Sequence, residues 1–128
     1  MGLLIGEEAP DFTAQACTAT GELVEHFNLH DQISRRYAVL FFYPMDFTFV
    51  CPSEILALSS RTAALEGLDC AAIGVSVDSK WTHNAWRHTP QDQGGIGDIN
   101  FTLVSDLDRA ISQRYGILAG EGRSYYPA

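Results

Sequence analysis

The sequence predicts an α/β domain, on three observations. Two apolar runs rich in aromatic or branched side chains, residues 37–43 (YAVLFFY) and 70–77 (CAAIGVSV), have the length and chemistry of strands. Between them, Ile55, Leu58, Thr62 (by its methyl) and Leu65 fall on one face of a helix. A third strand and a short helix follow, over residues 101–104 and 108–115, so strands and helices alternate.

Each element has a local reason. Residues 12–17 and 22–27 flank Thr20-Gly21 and read as a hairpin. Residues 37–43 carry no alternation, which predicts a strand buried on both faces. Pro44 ends that strand, and a loop over 45–50 leads to Cys51. Pro52 suits the first helical position, where a missing N–H costs nothing, and Gly67 suits the stop. Residues 70–77 form the second buried strand, ending at Asp78, and strand–helix–strand implies a right-handed parallel crossover. Residues 79–88 read as a helix closed by Pro90, and Gly94-Gly95-Ile96-Gly97 as a loop. No repeat or linker divides the chain, so residues 1–128 are expected to form one domain.

Charge and composition exclude several functions. With 8 basic and 16 acidic residues the formal net charge is −8, which argues against nucleic-acid binding and against docking on anionic membranes. The first ten residues lack a basic region, and Gly6 stands where a myristoylation motif needs Ser or Thr. The apolar run at 38–43 is far too short to span a bilayer, so a cytoplasmic location is expected. Cys17, Cys51 and Cys70 are odd in number and form no Cys-x-x-Cys pair, which disfavours a disulfide scaffold or a four-cysteine zinc site. His26 with His30, and His83 with His88, lack further ligands and read as ordinary histidines; no metal is expected.

The chemistry concentrates at Cys51. Only the thiolate is a good nucleophile, and free N–H groups at a helix start favour that anion. Cys51 stands at the proposed N-cap, three residues after Thr48, whose hydroxyl has the reach to donate toward the sulfur. Pro44 would stiffen the intervening loop, and Glu54 falls in the first helical turn, where it would orient a cation. A thiolate with fixed donors around it is equipped to cleave a peroxide, and needs no cofactor to do so. Cys70 and Cys17 read as packing thiols, and Trp86 as a core or pocket side chain.

Pro44-x-x-x-Thr48-x-x-Cys51 resembles the active-site motif of peroxiredoxins, and residues 42–54, FYPMDFTFVCPSE, are similar to the form in the typical two-cysteine, alkyl-hydroperoxide-reductase subgroup. Ser53 replaces the more usual threonine. Further agreement lies in residues 9–12, in residues 74–79 followed by Thr82-His83 and Ala85-Trp86, in Thr89-Pro90 with the glycine loop, and in residues 114–118. The resemblance implies a thioredoxin-like fold and reduction of hydrogen peroxide and small alkyl hydroperoxides. Cys51 would be the peroxidatic nucleophile, Thr48 and Pro44 its support. It also implies a thioredoxin-like or flavoprotein reductant and a homo-oligomer in the full-length parent.

Two departures qualify the resemblance. The family's active-site arginine would fall near Tyr126; Arg123 is close by but out of step, so the guanidinium is displaced or missing. Relatives also continue with two more strands, a helix and a second Val-Cys-Pro carrying the resolving cysteine, none of which follows Ala128. A C-terminally incomplete chain with an open sheet edge is therefore expected. The rival readings are a one-cysteine peroxidase resolved by an external thiol, a non-catalytic holdase or inactive fragment, and a redox sensor that passes oxidation to a partner.

Overall fold

The computed structural model describes residues 5–34, 36–43, 46, 51–93, 95–97, 99–119 and 124–125, with 51–54, 118–119 and 124–125 as backbone only. Strands β1 (Thr13–Cys17) and β2 (Leu23–Asn28) form the expected antiparallel hairpin. Its turn closes through Thr18, whose carbonyl accepts from Gly21 N and whose hydroxyl accepts from Glu22 N. Gly21 has φ +87°, a left-handed conformation that favours glycine, and a Cβ there would press on an Arg87 guanidinium nitrogen at 3.0 Å. Helix α1 (Leu29–Ile33), not read from the sequence, starts because Asn28 Oδ1 accepts from Asp31 N at 2.9 Å.

Strand β3 (Tyr37–Phe42) leads to helix α2 (Cys51–Ser59), helix α3 (Thr62–Gly67) and strand β4 (Cys70–Ser76). The single helix expected after Cys51 is thus two. Ser60 Oγ donates to Ala57 O (2.7 Å), Thr62 Oγ1 donates to Ser59 O (2.8 Å), and Arg61 N turns tightly to Leu58 O (2.9 Å). The Ser60 and Thr62 hydroxyls compete with the helical ladder and break it. Asp69, with φ 58°, takes the left-handed position after α3.

Helix α4 (Lys80–His88) is capped by Ser79, whose Oγ accepts from Thr82 N at 3.1 Å. Strand β5 (Thr102–Ser105) follows one residue later than expected, and helix α5 (Ala110–Arg114) lies inside its expected bounds. A short pair, β6 (Leu118–Ala119) with β7 (Ser124–Tyr125), completes the described elements.

The main sheet has the order β2-β1-β5-β4-β3. Strands β3, β4 and β5 are mutually parallel, and β1 is antiparallel to both its neighbours. Alternation along the strands sends side chains to two cores. Ile73, Val75 and Val104 meet Phe12, Phe27, Leu29 and Ile111 on one face. Leu103 meets Tyr43, Ile55, Trp86, Ile96 and Phe101 on the other. The result is a sheet covered by helices on both sides.

One expectation is corrected. Residues 37–42 are not buried on both faces: β3 has β4 as its sole partner among the described residues, and Tyr37 and Val39 are 77% and 38% exposed. Continuous apolar character marked the strand, but its position in the sheet decides burial. Among the described residues β3 is therefore an edge of the main sheet. Among the described residues no helix is long and apolar enough to cross a membrane.

Candidate active site

The three parallel strands end at Phe42, Ser76 and Ser105, and the chain segments leaving them converge on one rim. Ligand sites in open α/β sheets form outside such carboxyl ends. Cys51 is the first helical residue of the nine-residue α2, one position inside the proposed cap. The free N–H groups of a helix start therefore lie at this cysteine's backbone. The helix is held in place by Ile55, which is 1% exposed in the second core, and by Ser59, whose Oγ accepts from Asn100 N at 3.0 Å. Of the other sequence-predicted residues, Pro44, Thr48 and Arg123 lie outside the described residues, as do the side chains of Cys51 and Glu54.

The described part of the rim holds a buried polar network that sequence reasoning missed. Asp46, five residues before Cys51, is 4% exposed. Its Oδ1 accepts from the Tyr43 hydroxyl at 2.7 Å, its Oδ2 lies 2.7 Å from His83 Nδ1, and its N–H donates to Asp78 Oδ2 at 2.6 Å. His83, fully buried on α4, places Nε2 3.0 Å from Val104 O on β5. Asp78 also accepts from Ser76 Oγ at 2.8 Å.

A carbonyl oxygen only accepts, so His83 Nε2 carries a hydrogen. The other ring nitrogen then meets a carboxylate oxygen, and a proton must sit between them, on one partner or the other. Burial, the largest influence, pushes the Asp46 carboxyl above its ordinary value, with His83 and Tyr43 opposing and Asp78 adding to the rise. Burial likewise holds the Tyr43 hydroxyl well above the usual phenol range. Ligand atoms of Asp46, Asp78 and His83 lie within 4.8 Å of one another, as a cation site would require. They are already spent on hydrogen bonds to each other, to Ser76 Oγ and to the Asp46 backbone, so a proton is the cation this geometry fits.

The sequence did contain a signal for His83. Lys80, His83, Trp86 and Arg87 fall at three- and four-residue spacings and make up the buried stripe of α4. A histidine on the stripe that carries Trp86 needs an internal partner. Its neighbour Arg87 donates to Thr18 O, Ala19 O and Ile99 O at 3.2, 2.7 and 3.3 Å, tying α4 to the hairpin turn. Cys17 and Cys70 are buried, as the packing reading requires. Burial raises the Cys17 thiol above its usual value, with nearby Arg87 opposing. His26 and His30 are exposed, and His30 Nε2 bonds Ala9 O at 3.0 Å.

Comparison with known proteins adds an independent line. The family model described as the AhpC/TSA family matches residues 5–128. Alkyl hydroperoxide reductase C of Buchnera aphidicola is 46% identical over 115 residues, covering 90% of this chain and 58% of that protein. Peroxiredoxin-1 of Gekko japonicus is 50% identical over 122 residues, covering 94% and 60% respectively. The chain thus spans less than two thirds of the length of these relatives. Among solved structures, the reduced 2-Cys peroxiredoxin of Plasmodium vivax superposes with a TM-score of 0.87 at 45% identity, over 94% of this chain and 62% of that one. Enterococcus faecalis AhpC superposes with a TM-score of 0.84 at 29% identity, over 98% and 71%.

Proposed function

Because the chain belongs to the AhpC/TSA family, with the thioredoxin-like α/β fold of its peroxiredoxin neighbours, we propose that it is a thiol-dependent peroxidase acting on hydrogen peroxide and small alkyl hydroperoxides. The observation that carries this reading is Cys51 at the first position of α2, the helix that follows β3 in the chain and packs Ile55 into the core that holds Tyr43. An anion there is favoured by the helix N–H groups and dipole.

The Cys51 thiolate attacks the terminal, proton-bearing oxygen of the peroxide. An S–O bond forms as the O–O bond breaks, the sulfur giving up two electrons and becoming a sulfenic acid. The departing oxygen takes a proton and leaves as water or an alcohol. Thr48 donates to the reacting oxygens, Pro44 shapes the pocket, Glu54 orients a cation, and Arg123, near the family's arginine position though out of step with it, is the candidate source of supporting charge. The sulfenic acid is then resolved by a second thiol, and a thioredoxin-like or flavoprotein reductant restores Cys51. The protein works in the cytoplasm as a homo-oligomer; an alkyl hydroperoxide reductase C among the relatives supports the reaction class.

Single-turnover peroxide consumption tests this. The wild-type protein should consume one equivalent per Cys51 and yield a sulfenic acid that dimedone traps, and Cys51→Ser should do neither. Peroxide loss persisting in Cys51→Ser would reject the assignment. Non-reducing gels after peroxide separate a Cys51-dependent intersubunit disulfide from resolution by an external thiol.

A further inference from the structure

We propose that Asp46 and His83 are a positioning pair for the peroxidase reaction, pinning the segment that leads into Cys51 and so setting how fast its sulfur attacks peroxide. The inference rests on the Cys51 reading above and goes beyond it, since neither residue touches the reacting atoms.

The placement of Asp46 carries the case. Through its two oxygens and its N–H, this one residue is bonded to the residue after β3 (Tyr43), to the segment after β4 (Asp78) and to α4 (His83). Through the second nitrogen of His83 it is also tied to β5 (Val104 O). Every element of the parallel part of the sheet thus contributes to fixing a single position, two residues before Thr48 and five before Cys51. On the other side of Cys51, α2 is fixed by Ile55 and by the Ser59–Asn100 bond. Asp46 and α2, which flank residues 47–50 in the sequence, are therefore both held.

A buried carboxylate–imidazole pair is a poor choice for stability alone, because desolvation offsets its attraction and an apolar pair is often as good. What directional bonds supply, and apolar packing does not, is a unique orientation. Small displacements at a reacting centre cost large factors in rate, so orientation is worth that cost next to a nucleophile.

The bridging proton makes the device sensitive to pH. The groups facing Asp46 are His83 from α4, the Tyr43 hydroxyl from the end of β3, Asp78 beyond β4 and, through space, the Cys17 thiol on β1. None of these supplies a second proton donor at Oδ2. Removing the shared proton leaves two lone pairs opposed at 2.7 Å, and the anchor loosens. An asparagine at 46 escapes this: its amide nitrogen donates to Nδ1 while its oxygen still accepts from Tyr43.

The test compares two rates at Cys51 in the purified protein: peroxide consumption, which needs the aligned site, and alkylation by iodoacetamide, which needs only an accessible thiolate. Asp46→Ala should lower the ratio of peroxide rate to alkylation rate by about ten-fold or more, of the order expected for a misaligned site. Asp46→Asn should restore that ratio and keep it flat with rising pH. In the wild type, the ratio should fall with rising pH as the proton held at the Asp46 carboxyl is lost, followed by carbon-13 NMR of that carboxyl; this arm needs no variant to fold. A ratio unchanged in Asp46→Ala, or one that stays level through the Asp46 titration, overturns the pair as a positioning device. A wild type that consumes no peroxide, or a Cys51→Ser that still does, instead overturns the underlying site, and the two failures are told apart by the Cys51 variant.

Discussion

Buried ionisable side chains at the rim make pH a probe of single residues. The Asp46 carboxyl is raised by burial above its ordinary 3.8, so between that value and its folded one the native state holds a proton the unfolded chain releases. Its contribution to stability is therefore full below the ordinary carboxylate value and is lost as pH rises through the folded one. Asp46→Asn should flatten that decline, read as urea midpoints as pH rises above the ordinary carboxylate value. Parallel curves for the two proteins would reject the linkage. Cys17, fully buried with its thiol raised, should resist iodoacetamide in the native protein and react only on unfolding, as peptide mass mapping would reveal. At this scale the sequence was partly legible. Cys51 could be read because its neighbours, Pro52 above all, announce a helix start. Asp46 and His83 could not be paired, because 37 residues separate them and nothing local records that they meet.

Helices and turns answer to shorter-range rules, and their predictions are correspondingly local. Ser79→Ala removes the Oγ that accepts from Thr82 N and should cost about 1 kcal/mol, measured by denaturant unfolding. Gly95→Ala is harsher: a Cβ there would lie 1.9 Å from Thr89 O, a backbone atom that α4 and the bond from Gly97 N hold in place. Overpacking of this kind costs about 3 kcal/mol, and thermal melting should show a clear drop; a melting point equal to wild type would mean that the 89–97 turn yields freely. The hairpin, the helix closed by Pro90 and the succession of strands and helices along the chain were legible because their signals lie within one or two turns of chain. The break between α2 and α3 was not, since apolar spacing continues straight through it and only hydroxyl competition at Ser60 and Thr62 interrupts the ladder.

Across the whole molecule, two cores on opposite faces hold a sheet whose β3 edge is open among the described residues. Trp86, fully buried in the second core, is the largest single anchor, and Trp86→Ala should cost about 3–5 kcal/mol in an unfolding titration. An exposed apolar edge is a template for pairing with another chain. The 128-residue polypeptide alone should therefore self-associate with concentration, and Val39→Lys should suppress this in sedimentation; equal association of both would reject edge pairing. The sequence by itself determined the alternation of strands and helices, the hairpin and the helix start at Cys51, because each is written in periodicity and capping over a few residues. Tertiary structure alone decided that β3 is an edge and that Asp46, His83, Tyr43 and Asp78 converge. Burial and partnership depend on which distant segments the sheet order makes neighbours, and that order is set by packing rather than by any local pattern.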